Sequence, residues 1–175
     1  MSQFDDEAYE TGFHEELQEV GSALLGDTIN ALTPNDPICL PETVTVHDAV
    51  VRMLSGKQAA VLIVDEKGCL SGIFTERDVL TRVVGKGLDS RTVSLGQVMT
   101  RQPEALSPRD RICYAVHQMS VAGYRTIPLI DEERKPIGVV TVSHVIKWLA
   151  DLFPEAVLNL RPGDTIKQPG TLDAG

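Results

Sequence analysis

Apolar positions recur along the chain with two periods, and the switches between them mark out its elements. Phe13, Leu17, Val20 and Leu24 fall at helical spacing and predict an amphipathic helix over residues 7–25. Glu15, Glu16 and Glu19 lie on its opposite face, and Gly26 suits its stop. The stripe fits a helix docked on its own module or one packed against a second chain; spacing alone does not separate the two. Residues 27–37 read as a short helical turn and a Pro-rich loop, and residues 37–40 as a short strand. Val46, Ala49, Val50, Met53 and Leu54 form the apolar face of a helix with Asp48 in its first turn. Residues 58–64 are a continuous apolar run, the pattern of a strand buried on both faces. Asp65-Glu66-Lys67-Gly68 has turn composition, and residues 70–74 return as a second strand. A helix then starts near Thr75, with Val79, Leu80 and Val83 expected on one face.

The same order returns at an offset of 66 residues (138 − 72), read between Gly138 and Gly72. Pro37 matches Pro103, Leu40 matches Leu106, Ala49 matches Ala115 and Met53 matches Met119. Asp65-Glu66 matches Asp131-Glu132, Thr75 matches Thr141 and Val79 matches Val145. The chain is an internal duplication. Its second copy opens with a turn at residues 95–99. A helix carrying Ile112, Ala115, Val116 and Met119 follows, then a hairpin over residues 125–140. A last helix with Val145, Ile146 and Leu149 ends before Pro154. The expected divisions are residues 1–26 (acidic helix), 27–84 (first repeat), 85–94 (Gly-containing linker), 95–153 (second repeat) and 154–175 (a tail expected to be mobile). Neither repeat alone can bury a two-sided sheet. Two packed face to face can, which predicts an α/β (α+β) module with pseudo-two-fold symmetry and clefts between its halves.

Charge narrows the function classes. The 175 residues carry a net charge of −9, and no Lys or Arg precedes Arg52. Such a surface is a poor footprint for nucleic acid or anionic membrane. No apolar run is long enough to span a bilayer, and Met1-Ser2-Gln3-Phe4-Asp5 lacks the basic and apolar regions of a signal peptide, so a cytoplasmic location is expected. The three cysteines form no CxxC pair; Cys39 and Cys113 are expected in the core and Cys69 in a hairpin. His14-Glu15 would open a zinc-protease helix, but its second His position is Gln18. No nucleophile elbow, Walker loop or dinucleotide fingerprint is present, and no metal site, catalytic cofactor or enzymatic activity is expected.

Thr75-x-x-Asp78 is close to a capping box, with Thr75 capping the helix and Asp78 favoured by its dipole. That local role needs no ligand. Arg125, at the start of a buried strand, could equally form a surface ion pair of little energetic weight.

The full ordered pattern is Pro-h-x-h, h-x-x-Ala-h-x-x-Met, h-h-h-Asp-Glu and Gly-h-h-Thr-x-x-Asp, present twice at one offset apart from its final Asp. It resembles the CBS motif of cystathionine β-synthase-type domains, and two in tandem resemble a CBS pair, or Bateman module, over about residues 27–153. The resemblance implies two βαββα repeats, a regulatory and non-catalytic role, homodimerisation and an adenosine nucleotide in an inter-repeat cleft. AMP or ADP comes first and ATP next, with S-adenosylmethionine or NAD as other ligands of the same cleft. It gives Asp78 the ribose hydroxyls and Thr75 a supporting role. As in the nucleotide-sensing γ subunits of AMP-activated kinase, which this chain resembles, it sets Arg125, with Tyr124, near phosphate. Ile38 and Ala60 are expected to form the wall against the base. At the matching place the first repeat has the uncharged Ala59, and Asp78 becomes His144, which cannot accept two hydroxyls as a carboxylate does. The second cleft, at Thr141 and His144, is therefore expected to bind weakly, to meet phosphate through a protonated His144, or to stay empty. The alternative to a sensor is a ligand-free dimeric scaffold. The regulated partner is not legible.

Overall fold

The structure is a computed structural model that describes residue 18 and residues 20–152. Most of the predicted N-terminal helix, and the tail, lie outside these residues. The described end of that helix, α1 (residues 20–26), packs Ala23 and Leu24 against the second repeat's core. The Arg111 guanidinium donates to the Gly26 carbonyl, a cation meeting the partial negative charge of a helix C-terminus.

The first repeat runs β1 (Cys39–Pro41), α2 (Val46–Gly56), β2 (Ala60–Val64) and β3 (Leu70–Thr75). Helix α3 (Glu76–Asp78) follows and continues as a π turn (Val79–Val83) and a 3-10 turn (Val84–Lys86). The second runs α4 (Leu95–Val98), β4 (Thr100–Arg101), α5 (Ile112–Val121), β5 (Thr126–Ile130), β6 (Pro136–Thr141) and α6 (Val142–Leu152). The first sheet has the order β1-β2-β3-β4, with β1 parallel to β2 and the other pairs antiparallel. The second is the β5-β6 hairpin, flanked by a parallel bridge from Leu106 to Leu129 and an antiparallel one from Asn35 to Val139. Both hairpins turn in one way. Asp65 Oδ1 accepts the Lys67 and Cys69 amides, and Asp131 Oδ1 accepts those of Glu133 and Lys135. The short carboxylate folds the chain back on itself, as Asp does in turns.

The repeats exchange their opening segments. Ile29 and Leu32, from a 3-10 turn that precedes β1, are buried among Ile112, Ala115, Ile127, Leu129, Val140 and Trp148 of the second repeat. Leu95, Val98 and Met99 are buried among Val46, Met53, Val61 and Phe74 of the first. The bridges Thr28–Arg111 and Thr45–Ser94 are images of each other under the 66-residue offset. Two glycines permit the crossings. A Cβ on Gly72 would stand 3.1 Å from the Thr100 carbonyl oxygen, and one on Gly138 3.4 Å from Pro34 Cβ. A third cluster, Ala60, Leu62, Leu70 and Ile73 with Val139, joins the two sheets face to face.

Some local expectations change, and Leu54, expected on the apolar face of α2, is 73% exposed. Leu80 does not share a buried face with Val83: it is 65% exposed, while Val83 is buried. The wider π turn carries Val79 and Val83 to one side and swings Leu80 out; such turns occur mostly as single insertions, often at functional sites. Cys39 is exposed because β1 is an edge strand and this side chain faces outward, and Cys113 is only half-buried.

Ile29→Ala should destabilise the chain by about 2–5 kcal/mol in urea unfolding, as large-to-small core substitutions do. Its loss of amide-exchange protection should centre on residues 106–148, although Ile29 precedes the first repeat's strands. Loss confined to residues 39–75 would contradict the exchanged packing.

Candidate functional site

A cavity of about 460 Å³ opens between the first repeat's β3–α3 corner and the second repeat's α5–β5 turn. Thr75, Glu76, Arg77, Asp78 and Arg82 line one side. Pro103, Glu104, Gly123, Tyr124, Arg125 and Thr126 line the other. Four of the expected residues, Thr75, Asp78, Tyr124 and Arg125, thus meet in one cleft although two come from each repeat.

The Asp78 side is held by a reciprocal cap. Thr75 Oγ1 accepts the Asp78 amide at 3.3 Å, and Asp78 Oδ2 accepts the Thr75 amide at 2.9 Å and its hydroxyl at 2.7 Å. Asp78 Oδ1 pairs with Arg82 Nε at 3.0 Å. Asp78 is the buried charged residue among those described, at 8% exposure, and it is stable there because both oxygens have partners. A carboxylate has about four acceptor positions. Three are taken here, leaving one on Oδ1. A second ribose hydroxyl would be accepted only after the Thr75 hydroxyl turned away.

Arg82 is the residue the sequence reading missed. Its Nη1 donates to the Val98 carbonyl at 2.8 Å and its Nη2 to Thr100 Oγ1 at 3.0 Å. One side chain therefore ties the Asp78 carboxylate to the α4–β4 crossing segment. The i, i+4 spacing of Asp78 and Arg82 was a readable signal. On the opposite side α5 is capped by Ala122, and Gly123 takes φ +70°, which favours glycine and turns Tyr124 and Arg125 back to the cleft.

Ile38 and Ala60 are not among the lining residues. Ile38 packs against the first repeat's core, and Ala60 is buried between the two sheets. Strand side chains alternate between faces, so Ala59 lines the cleft and Ala60 does not. The wall facing Asp78 comes from the other repeat, and the residues 66 positions beyond Ile38 and Ala60, which are Glu104 and Thr126, are the ones that line it.

On the pseudo-symmetric side, His144 copies the cap: its Nδ1 accepts the Thr141 amide at 3.2 Å. The neutral ring then carries its proton on Nε2. Burial pushes the His144 pKa down, and the nearby Lys147 charge adds to this. A protonated phosphate contact is therefore disfavoured. Trp148 replaces Arg82, with its Nε1–H donated to Asp27 Oδ2 at 3.3 Å. Gln58, at the position matching Tyr124, donates from Nε2 to the Asp36 carbonyl at 2.7 Å. The charged set of the first cleft has no copy here. Among the described residues no three His, Cys, Asp or Glu side chains converge on a metal site, and no helix is long and apolar enough to cross a membrane.

Known proteins are similar to this chain in sequence and fold. A family model of the CBS domain matches residues 29–85 and again residues 95–151. The CBS domain-containing protein CBSCBSPB3 of Arabidopsis thaliana is 31% identical over 124 residues, which are 71% of this chain and 22% of that protein. The mitochondrial CBS domain-containing protein CBSX3 of the same plant is 31% identical over 107 residues, 59% of this chain and 52% of that protein. The chain thus spans only part of these relatives' lengths. Among solved structures, the CBS domain pair of protein MJ0100, in complex with 5′-methylthioadenosine and S-adenosyl-L-methionine, superposes with TM-score 0.63 at 20% identity, covering 69% of this chain and 98% of that one. The CBS-domain containing protein ATU1752 from Agrobacterium tumefaciens gives 0.61 at 25% identity, covering 68% and 95%. With two matched copies, the chain belongs to the CBS domain family as a tandem pair.

Proposed function

We propose that this chain is a non-catalytic sensor that binds an adenosine nucleotide, AMP or ADP first and ATP next, in the cleft between Asp78 and Arg125. The observation that carries this reading is the convergence of a hydroxyl-accepting carboxylate and an unpaired cation from different repeats on one cavity. Among the described residues Arg125 forms no salt bridge. The ribose is placed on the open position of Asp78 Oδ1, with Thr75 beside it and phosphate near Arg125 and Tyr124. Charge-assisted bonds of this kind are the strong ones. Protein MJ0100, which shares the fold, was solved with two adenosine-containing compounds, in keeping with an adenosine ligand here. Such a ligand acts on a partner protein only by binding one arrangement of the halves better than another.

A specific observation favours a second reading, a ligand-free scaffold: Asp78 is already satisfied by Thr75 and Arg82. Thermal unfolding against AMP, ADP, ATP, S-adenosylmethionine and NAD separates the two. A ligand at a hundred times its dissociation constant adds about 2.7 kcal/mol. Arg125→Ala, at an exposed position, should weaken AMP about tenfold, the loss of one charged hydrogen bond, and leave adenosine unchanged. No shift with any ligand supports the scaffold.

The Thr141–His144 side is read as lacking a nucleotide site, with His144 serving as a neutral cap. Its folded pKa lies below the unfolded value of about 6.5. Below that value the unfolded chain binds the proton more readily, so stability present above it is lost as pH falls. Urea midpoints at pH 7.5 and 5.5 should drop more for the wild type than for His144→Asn, whose amide oxygen can keep the cap. Equal drops would remove His144 as the cause.

We place the protein in the cytoplasm as a homodimer. Leu54, Val84 and Ile146 are each more than 60% exposed on helices, and Leu80 and Ile146 are equivalent under the repeat. Ile146→Glu should convert the dimer to monomer in sedimentation equilibrium without changing the helical circular dichroism.

A further inference from the structure

The cleft carries three acids and three arginines: Glu76, Asp78 and Glu104 against Arg77, Arg82 and Arg125. They are not equally free. Arg82 is held at all three of its nitrogens, by Asp78 Oδ1, the Val98 carbonyl and Thr100 Oγ1. Its charge and that of Asp78 neutralise each other at 3.0 Å. Turning Arg82 towards a ligand would leave the buried Asp78 carboxylate without its cation, which is strongly unfavourable.

What remains is Arg77 and Arg125 against Glu76 and Glu104. All four are exposed side chains, and among the described residues none forms a salt bridge. A polyphosphate site needs an excess of cations, helix N-terminal amides or a metal, because each added phosphate brings at least one more negative charge. This cleft has no such excess. Helix α3 proper is a single turn whose first amides are already engaged by Ala59 and Thr75, which accept from Glu76 and Asp78. The net charge of −9 opposes polyanions further.

We propose that the cleft selects its ligand by charge, favouring a nucleoside monophosphate over the triphosphate, with Glu76 and Glu104 as the specificity-determining residues. This rests on the nucleotide reading above. The free side chains already balance without a ligand, so one phosphate takes the cleft negative by its own charge of about −1.5 to −2, and each further phosphate takes it further. A β- and γ-phosphate would extend the charge along a wall that holds as many carboxylates as cations. The residue matching Glu104 in the other half is Ile38 and that matching Glu76 is Val142, so both carboxylates belong to this cleft alone.

The test is isothermal titration of the full chain with AMP, ADP and ATP, without divalent cations and at low salt. Wild type, Glu76→Gln, Glu104→Gln and the double variant are compared. In the wild type AMP should bind about tenfold more tightly than ATP, with ADP between them. The double variant should narrow that ratio about fivefold by strengthening ATP, with AMP altered less than about twofold. Both substitutions are isosteric and exposed, so folding is not at issue. ATP binding as tightly as AMP to the wild type overturns the selection and leaves the nucleotide reading standing. A ratio unchanged in the double variant overturns the role of the two glutamates. Absence of binding by all three nucleotides overturns the selection together with the reading beneath it.

Discussion

Neither half of this molecule has a closed core without a segment from the other. Ile29 and Leu32 fill the second repeat, and Leu95, Val98 and Met99 fill the first. Because burial of such side chains is the dominant favourable term in folding, the two crossings commit the repeats to one another. The halves also meet at the shared sheet contact at Val139, and they cannot part without opening both cores. A cleft between them is thus a fixed consequence of the architecture, and what varies is the chemistry of its walls.

The crossing segments reach that chemistry directly. On one side the tether between helix and crossing segment is ionic, running from Asp78 through Arg82 to Val98 and Thr100. On the other it is aromatic, with Trp148 in an apolar cluster reaching Asp27. The ionic tether includes Asp78, the carboxylate proposed above as the ribose acceptor, so under that proposal one side chain serves both the ligand and the hold on β4. Among the described residues the aromatic tether shares no hydrogen bond with His144. The duplication has therefore kept its scaffold on both sides and kept an exchangeable polar network on only one.

Duplication also accounts for what was legible. The continuous apolar run of β2, the Asp-led turns and the 66-residue spacing are local properties, set by side-chain volume, alternation and turn chemistry, and they led to the two repeats and their order. The π turn after Asp78 was not legible, because the choice between adjacent hydrogen-bond registers is made by the packing of Val79 and Val83 rather than by propensity. The exposure of Cys39 was missed for a similar reason, since an edge strand and a central strand of three residues look alike in sequence.

By itself the sequence determined the repeated units, the residue types available to a site and their asymmetry: aspartate against histidine at positions 78 and 144, arginine against alanine at positions 125 and 59. Which of those residues face one another was decided only by the tertiary structure. The wall opposite Asp78 is built by the other repeat, so Glu104 and Thr126 stand where Ile38 and Ala60 were expected. Arg82 makes its tethering contacts 16 and 18 residues away. Sequence spacing encodes neighbours along an element. Contacts made by chain crossing depend on where a whole segment is laid down, and that is settled by the burial of Ile29 and Leu95, neither of which lines the cleft.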